Sequence, residues 1–147
     1  MKVLVSACIM GENCKYNGKN NYNSSVSEFL TNREVIMLCP EMLAGLGIPR
    51  NCAEIVNGKV VDNKGNDVDE GFRNGVALAV ERIENEQIDF AILQSRSPTC
   101  GVHQIYDGSF SGTLIQGQGL FARELIRKGF KVLMRMNSKG RCASSLS

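Results

Sequence analysis

The sequence predicts an α/β protein with a small Rossmann-like three-layer fold. Its sheet is mainly parallel, has about four strands and carries an inserted β-hairpin. Four short apolar runs predict the sheet, because they are mostly continuous rather than alternating, as is usual for parallel strands covered on both faces. Helical patterns lie between the runs and imply right-handed crossover connections. The predicted strands are residues 2–6, 34–39, 89–94 and 130–136.

Three helices are predicted between these strands. The clearest covers residues 69–86, where apolar side chains recur every three or four positions and define one face. Shorter helices are predicted over residues 25–32 and 119–128. Small polar or acidic residues mark the helix starts, and a glycine marks the last helix end. These terminal residues are Ser24 or Ser25, Asp69 and Gly129.

A hairpin interrupts the alternation of strands and helices. Residues 54–56 and 59–62 flank Asn57-Gly58, a dipeptide that suits a type I′ turn. Residues 1–136 are expected to form a single domain. The polar segment 137–147 is expected to be a flexible tail.

Composition limits the possible functions. The 147 residues are 43% hydrophobic and 22% charged, with a net charge of +2, which is too mild for a nucleic-acid surface. The start of the chain lacks a secretory pattern, and no apolar stretch approaches the ~20 residues of a membrane span. A cytoplasmic location is therefore expected, where cysteines stay reduced. Six cysteines then indicate a metal or catalysis, with Cys52 and Cys142 interpreted as structural.

Three cysteines follow predicted strands. Cys8 lies just past the first, Cys39 ends the second, and Cys100 follows the third. The carboxyl ends of parallel strands share one edge, where open α/β sheets bind ligands. The three thiols are therefore expected to converge there. Thiolates favour zinc, copper(I) or iron–sulfur clusters, but no C-x₂-C pair is present to choose among them.

Four segments, taken in order, resemble the 2-thiouracil desulfidase family. They cover almost the whole chain, from the first strand to the last helix. As an ordered set the motifs are highly specific, although any one of them alone would not be. They are Ser-Ala-Cys-Ile-Met-Gly (6–11) with Cys-Lys-Tyr-Asn-Gly (14–18), Cys-Pro-Glu (39–41) with Gly-Leu-Gly-Ile-Pro-Arg (45–50), Ser-Pro-Thr-Cys-Gly (97–101) and Tyr-Asp-Gly-Ser-Phe (106–110).

The resemblance implies a cofactor and a reaction. Cys8, Cys39 and Cys100 would hold a 4Fe-4S cluster with one iron not bound by the protein. The substrate would be a small thiolated pyrimidine, with thiouracil converted to uracil and sulfide released without redox change. Glu41 and Ser97 would assist catalysis. No membrane partner is implied; nucleic acid is not expected, although a thiolated RNA base stays open.

This chain departs from the family pattern in its second motif. Many members have Arg-Tyr-Asp-Gly where this chain has Lys15-Tyr16-Asn17-Gly18, so a role for charge there is in doubt. A cysteine at position 14 is unusual among relatives, so Cys14 is only the fourth choice as a cluster ligand. Other candidates with simpler explanations are Arg50 and Lys15 for orienting substrate, Tyr16 or Tyr106 for stacking, and His103 for acid–base work.

Competing interpretations remain for the main site residues. Glu41 could cap a helix or pair with Arg50, and Ser97 could be a turn hydroxyl bound to nearby backbone. A non-catalytic zinc or iron–sulfur module is the main alternative function, and Cys14 would complete its four-thiolate site. A nucleotide-dependent or thiol-redox enzyme is less favoured, because neither G-x-G-x-x-G after the first strand nor a P-loop is present.

Overall fold

A computed structural model describes residues 1–94 and 96–135. Helices separate the strands that form the main sheet, and a short 3₁₀ helix, Ala7–Met10, follows the first strand. The strands are β1 (Lys2–Ser6), β2 (Glu34–Leu38), β3 (Ala53–Val56), β4 (Lys59–Asp62), β5 (Phe90–Gln94), β6 (Gln104–Tyr106), β7 (Leu114–Gln116) and β8 (Val132–Arg135). The α-helices are α1 (Ser24–Phe29), α2 (Pro40–Leu43), α3 (Asp69–Ile83) and α4 (Leu120–Arg127).

The main sheet has the strand order β2-β1-β5-β8, and its neighbouring strands are parallel. The α/β prediction is therefore confirmed. Strand β2 stops at Leu38, one residue short of its predicted end, because Cys39 is the N-cap of α2. Met136, the last residue predicted for β8, lies outside the described residues.

Apolar side chains on both faces of this sheet produce three layers. On one face Leu4 and Leu93 pack against α3 and α4, through residues such as Phe72 and Phe121. On the other face Val5 and Ile92 pack against the 3₁₀ helix and α1. The helices of the described segments include none that is long and apolar enough to cross a membrane.

Two predicted helix caps are wrong. Helix α1 begins at Ser24, and Asn23 is its N-cap, with a side chain that accepts a hydrogen bond from Val26 N at 3.0 Å. Asp69 does not cap α3. Its carboxylate instead accepts a hydrogen bond from Val60 N at 3.0 Å and pairs with Arg73, so it ties β4 to the helix.

The helices are also shorter than predicted. Helix α1 ends at Phe29 and α3 at Ile83, before the expected residues 32 and 86. The end of α4 is confirmed, because Gly129 adopts a left-handed φ of 89° and donates to Ile126 O at 3.0 Å.

The predicted β3–β4 hairpin is confirmed, including its turn. Asn57 and Gly58 both have positive φ, 50° and 81°, as a type I′ turn requires. Four elements have no counterpart in the prediction: the 3₁₀ helix, α2, and the strands β6 and β7 of a second hairpin. The proposed tail 137–147, with Cys142, lies outside the described residues, so the domain boundary at 136 stays a prediction.

Helix α2 packs closely on α3 at Gly75. A Cβ at this position would lie 2.1 Å from Pro40 O and 2.9 Å from Ala44 Cβ. We therefore expect Gly75→Ala to destabilise the protein by about 1–3 kcal/mol, although alanine is the better helix former by ~1 kcal/mol. Chemical denaturation measures the difference. Because α2 follows Cys39 and contains Glu41, the variant should also disturb the site described below.

Gly71→Ala is the matched control in the same helix. Its Cβ would lie 3.2 Å from Leu46 Cδ2, the end of a flexible side chain, so a smaller effect is expected. Equal stability changes in the two variants would contradict the close packing of α2 on α3.

Candidate active site

A cavity of about 120 Å³ opens at the carboxyl ends of β1, β2 and β5. This is several times the space that one water molecule needs. The residues that were predicted to converge at this edge do line it, and Cys14 joins them. The thiol, carboxyl and hydroxyl groups of interest are those of Cys8, Cys14, Cys39, Cys100, Glu41 and Ser97.

The Cys14 thiol lies between the thiols of Cys8 and Cys39 and hydrogen-bonds to both. Those hydrogen bonds lower the pKa of Cys8 and of Cys39 and raise the pKa of Cys14. The three thiols therefore form one interacting group at the cavity. Asn21 Nδ2 also donates to Cys8 Sγ at 3.5 Å.

Cys100 approaches from a tight turn that Ser97 organises. The Ser97 hydroxyl accepts backbone hydrogen bonds from Thr99 N at 2.9 Å and from Cys100 N at 2.8 Å. The turn-hydroxyl interpretation of Ser97 is therefore observed, and both acceptor positions of its oxygen are used. Its O–H remains available as a donor. Burial raises the pKa of the Cys100 thiol well above its usual range.

Glu41 is held by two partners from other loops. Its Oε1 accepts from Arg50 Nε at 3.0 Å and from Nη2 at 2.8 Å, and its Oε2 accepts from Thr99 Oγ1 at 3.0 Å. The pairing with Arg50 was the competing interpretation, and it is observed. The side chains of Glu41 and Arg50 are largely buried, with 16% and 9% of their surface exposed, respectively. A carboxylate has about four acceptor positions, so Oε2 keeps one for a further donor.

Arg50 links the loops that follow β1 and β2. Besides Glu41 it donates to Cys14 O at 2.8 Å and to Gly47 O at 3.0 Å. Its guanidinium therefore fixes the backbone at Cys14 and the carboxylate of Glu41 together. This is a structural reason to keep an arginine there, whether or not it touches substrate.

The remaining sequence candidates divide into two groups. Lys15, Tyr16 and Tyr106 line the cavity, whereas His103 is exposed and is not part of its lining. Cys52 is buried at the cavity wall and is disulfide-bonded, which is a structural role but not the reduced state expected of the cysteines.

The sequence predicted no role for Thr99, Gln94 or Arg96, which lie at or beside the cavity. Thr99 is fully buried and bonded to Glu41. Gln94 and Arg96 line the cavity, and one side-chain nitrogen of each has no partner among the described residues. Gln94 offered a usable signal, because it is a polar residue at the end of an otherwise apolar strand. Arg96 adopts a left-handed φ of 69°, a backbone conformation that could not be predicted from the sequence.

The buried carboxyl of Glu54 holds the loop between β6 and β7 beside the cavity. Its Oε1 accepts from Gly108 N at 2.9 Å and from Phe110 N at 3.1 Å, while the part of the chain that the structure describes offers no partner to the buried Oε2. This loop begins next to Tyr106 and contains Asp107 and Gly108. Desolvation raises the pKa of Glu54 above its usual value of 4.5.

The raised pKa of Glu54 predicts a pH-dependent stability. The folded state binds the proton more tightly than the unfolded state, so this contribution to stability is fully present below pH ~4.5 and is lost as the pH rises through the folded pKa. Glu54→Gln keeps an acceptor for both backbone amides and cannot ionise. We expect its stability relative to the parent to increase with pH, as measured by denaturation at several pH values. Exposed Glu81→Gln is the control; parallel curves for Glu54→Gln and the parent would contradict the assignment.

Comparisons with known proteins agree on one family. The family model described as 2-thiouracil desulfurase matches residues 3–137. The uncharacterized protein YbbK of Bacillus subtilis (strain 168) is 34% identical over 141 residues, with 89% of this chain and 93% of that protein covered. The solved structure of the 4Fe-4S-dependent thiouracil desulfidase TudS is 33% identical with a TM-score of 0.84, and 91% of this chain and 90% of that chain are covered.

The fold and the cavity define a class of small α/β enzymes whose thiols meet at the carboxyl edge of a parallel sheet. Within that class the chain belongs to the 2-thiouracil desulfurase family. The resemblance noted in the motifs is thereby confirmed, as is the expectation of an enzyme.

Proposed function

We propose that this protein removes sulfur from a small thiolated pyrimidine, converting thiouracil to uracil, with a 4Fe-4S cluster held by Cys8, Cys39 and Cys100. One observation carries the proposal: thiols from three strand ends line a single cavity in a chain that matches thiouracil desulfidase TudS over 91% of its length. The reaction is a hydrolysis, in which water supplies the new carbonyl oxygen and sulfide leaves. No electron is exchanged.

The residues at the cavity fit an iron–sulfur cluster. Thiolates are the protein ligands such clusters take. Gln94 lines the same cavity, and its buried amide donor has no partner within residues 1–94 and 96–135. Among the described residues, no three His, Cys, Asp or Glu side chains are arranged to hold a single metal ion. A cluster does not require that arrangement, because each protein thiolate binds a different iron.

The proposed chemistry divides between cofactor and protein. An iron that lacks a protein ligand would supply a Lewis acid for the thiocarbonyl sulfur. Glu41 would accept a proton from the attacking water through the acceptor position left on Oε2. Arg50 and Thr99 would keep that carboxylate oriented, since they hold its two oxygens from opposite loops.

We propose that Ser97 acts as a hydrogen-bond donor rather than a proton relay. Both acceptor positions of its oxygen bind the backbone of the turn, so accepting a proton would break one of those bonds. The O–H can instead be directed at the water or at the substrate. The same hydroxyl therefore shapes the turn that presents Cys100.

A second candidate function rests on Cys14. Its thiol contacts both Cys8 and Cys39, so a four-cysteine site without an open position is a specific alternative. Such a site would hold zinc or a closed cluster in a structural or regulatory module. The three-ligand proposal is favoured because the family of this chain is one of enzymes.

Anaerobic purification followed by a sulfide-release assay tests the proposed function. We expect a brown protein that contains iron and acid-labile sulfide and releases sulfide from 2-thiouracil or 4-thiouracil. A thiolated RNA oligonucleotide in the same assay reports whether a base within RNA is accepted. Stoichiometric zinc without iron, and no sulfide from any substrate, would establish the second candidate instead. The cytoplasmic location stays a prediction; a reducing compartment would keep the cavity thiols reduced.

A further inference from the structure

An unused hydrogen-bond donor lies in the wall of the cysteine-lined cavity. Gln94 ends β5, is 6% exposed, and its Nε2 is buried with no hydrogen-bond partner among the described residues. Buried polar groups in folded proteins nearly always have a partner. An amide donor that lacks one beside a ligand cavity indicates that the ligand supplies the acceptor.

The sheet fixes where this amide can reach. The backbone N–H of Gln94 donates to Ser6 Oγ at 3.0 Å, which joins the ends of β5 and β1. Side chains alternate along a strand, so Gln94 follows Ile92 onto the face where the 3₁₀ helix packs. Cys8 lies in that helix and on that face. The free donor is therefore on the Cys8 side of the cavity.

We propose that Gln94 is a positioning residue whose Nε2–H donates a hydrogen bond to a sulfur of the iron–sulfur group held at Cys8, Cys39 and Cys100. The inference rests on the proposed function. Hydrogen bonds to the sulfurs of a cluster withdraw electron density and raise its reduction potential. Gln94 thus stabilises the electron-rich group and fixes its orientation, and it needs no contact with the pyrimidine to do so.

Two substitutions change this donor in different ways. Gln94→Leu removes it with little change in volume, and Gln94→Glu keeps the shape but replaces the donor by an acceptor. We expect both variants to show a lower reduction potential than the parent, with the larger shift in Gln94→Glu because it adds negative charge. Gln87→Leu, at an exposed position outside the cavity, is the matched control and should leave the potential unchanged.

A measurement on the parent protein avoids any folding defect of the variants. With ¹⁵N placed only in glutamine side-chain amides, pulsed EPR of the reduced protein should detect a coupled ¹⁵N nucleus, because Gln94 is the glutamine that lines the cavity. No coupling, or potentials equal to that of the parent in both variants with full iron and sulfide content, would overturn the role of Gln94. Iron, sulfide and thiouracil turnover of the parent are measured first. A parent without cluster overturns the proposed function, whereas a loaded, active parent without coupling overturns this inference alone.

Discussion

Replacing Cys8, Cys39 or Cys100 by alanine is expected to abolish cluster binding and sulfide release together. Each thiolate would be the only protein ligand of its iron, so each substitution removes the one bond between the protein and that iron. Iron and sulfide content after anaerobic reconstitution should fall to near background, and turnover of 2-thiouracil should fall with them. Circular dichroism should show that the α/β fold persists, because all three side chains are small and none carries the core alone.

Cys14→Ala is the decisive companion variant. Its thiol hydrogen-bonds to Cys8 and Cys39 without being needed as a ligand in the proposed site. We therefore expect Cys14→Ala to keep iron, sulfide and most of the turnover. A Cys14→Ala protein that lost its cluster while Cys100→Ala kept one would show that the ligand set has been assigned wrongly.

Glu41→Gln is expected to retain the cluster and lose turnover, with kcat reduced about 10²–10⁴-fold. Glutamine keeps the shape of the side chain, but it cannot accept the proton of the attacking water. The substitution also leaves the guanidinium of Arg50 buried without its carboxylate, so some loss of stability should accompany it. Iron content, steady-state turnover and denaturation, measured on the same preparation, separate the two effects.

Thr99→Val is the matched control for that variant. It removes the hydroxyl that donates to Glu41 Oε2 and leaves the Glu41–Arg50 pair intact. A smaller loss of turnover is expected than in Glu41→Gln, with cluster content unchanged. Full activity of Glu41→Gln at normal cluster content would contradict a role for this carboxylate as the base.

The sheet and the convergence of the cysteines could be predicted because both depend on local patterns. Continuous apolar runs identified strands of the main sheet such as β1, β2 and β5, and parallel pairing then required their carboxyl ends to meet. The bounds of β1 were predicted to the residue, and those of β5 to within one. The type I′ turn at Asn57-Gly58 followed from the same kind of local rule.

Contacts between distant loops could not be predicted in the same way. Cys14 reaches the cavity because the loop after β1 folds back, with Asn21 N bonded to Cys8 O and Arg50 bonded to Cys14 O. Thr99 meets Glu41 only once the 97–100 turn and α2 are both in place. Helix α2 has four residues and β6 and β7 have three each, too few for a periodic signal. Asp69 does not cap α3 because its carboxylate accepts a tertiary hydrogen bond from Val60 N.

Mössbauer spectroscopy of the ⁵⁷Fe-reconstituted protein tests the central claim most directly, because it resolves individual iron sites. The claim is that three thiolates hold the cluster and that substrate sulfur binds at the iron they leave open. We predict a minority iron subsite that is distinct from the rest and whose spectrum changes when 2-thiouracil is added, in the parent and in Cys14→Ala alike. Equivalent iron sites that do not respond to 2-thiouracil would contradict the claim.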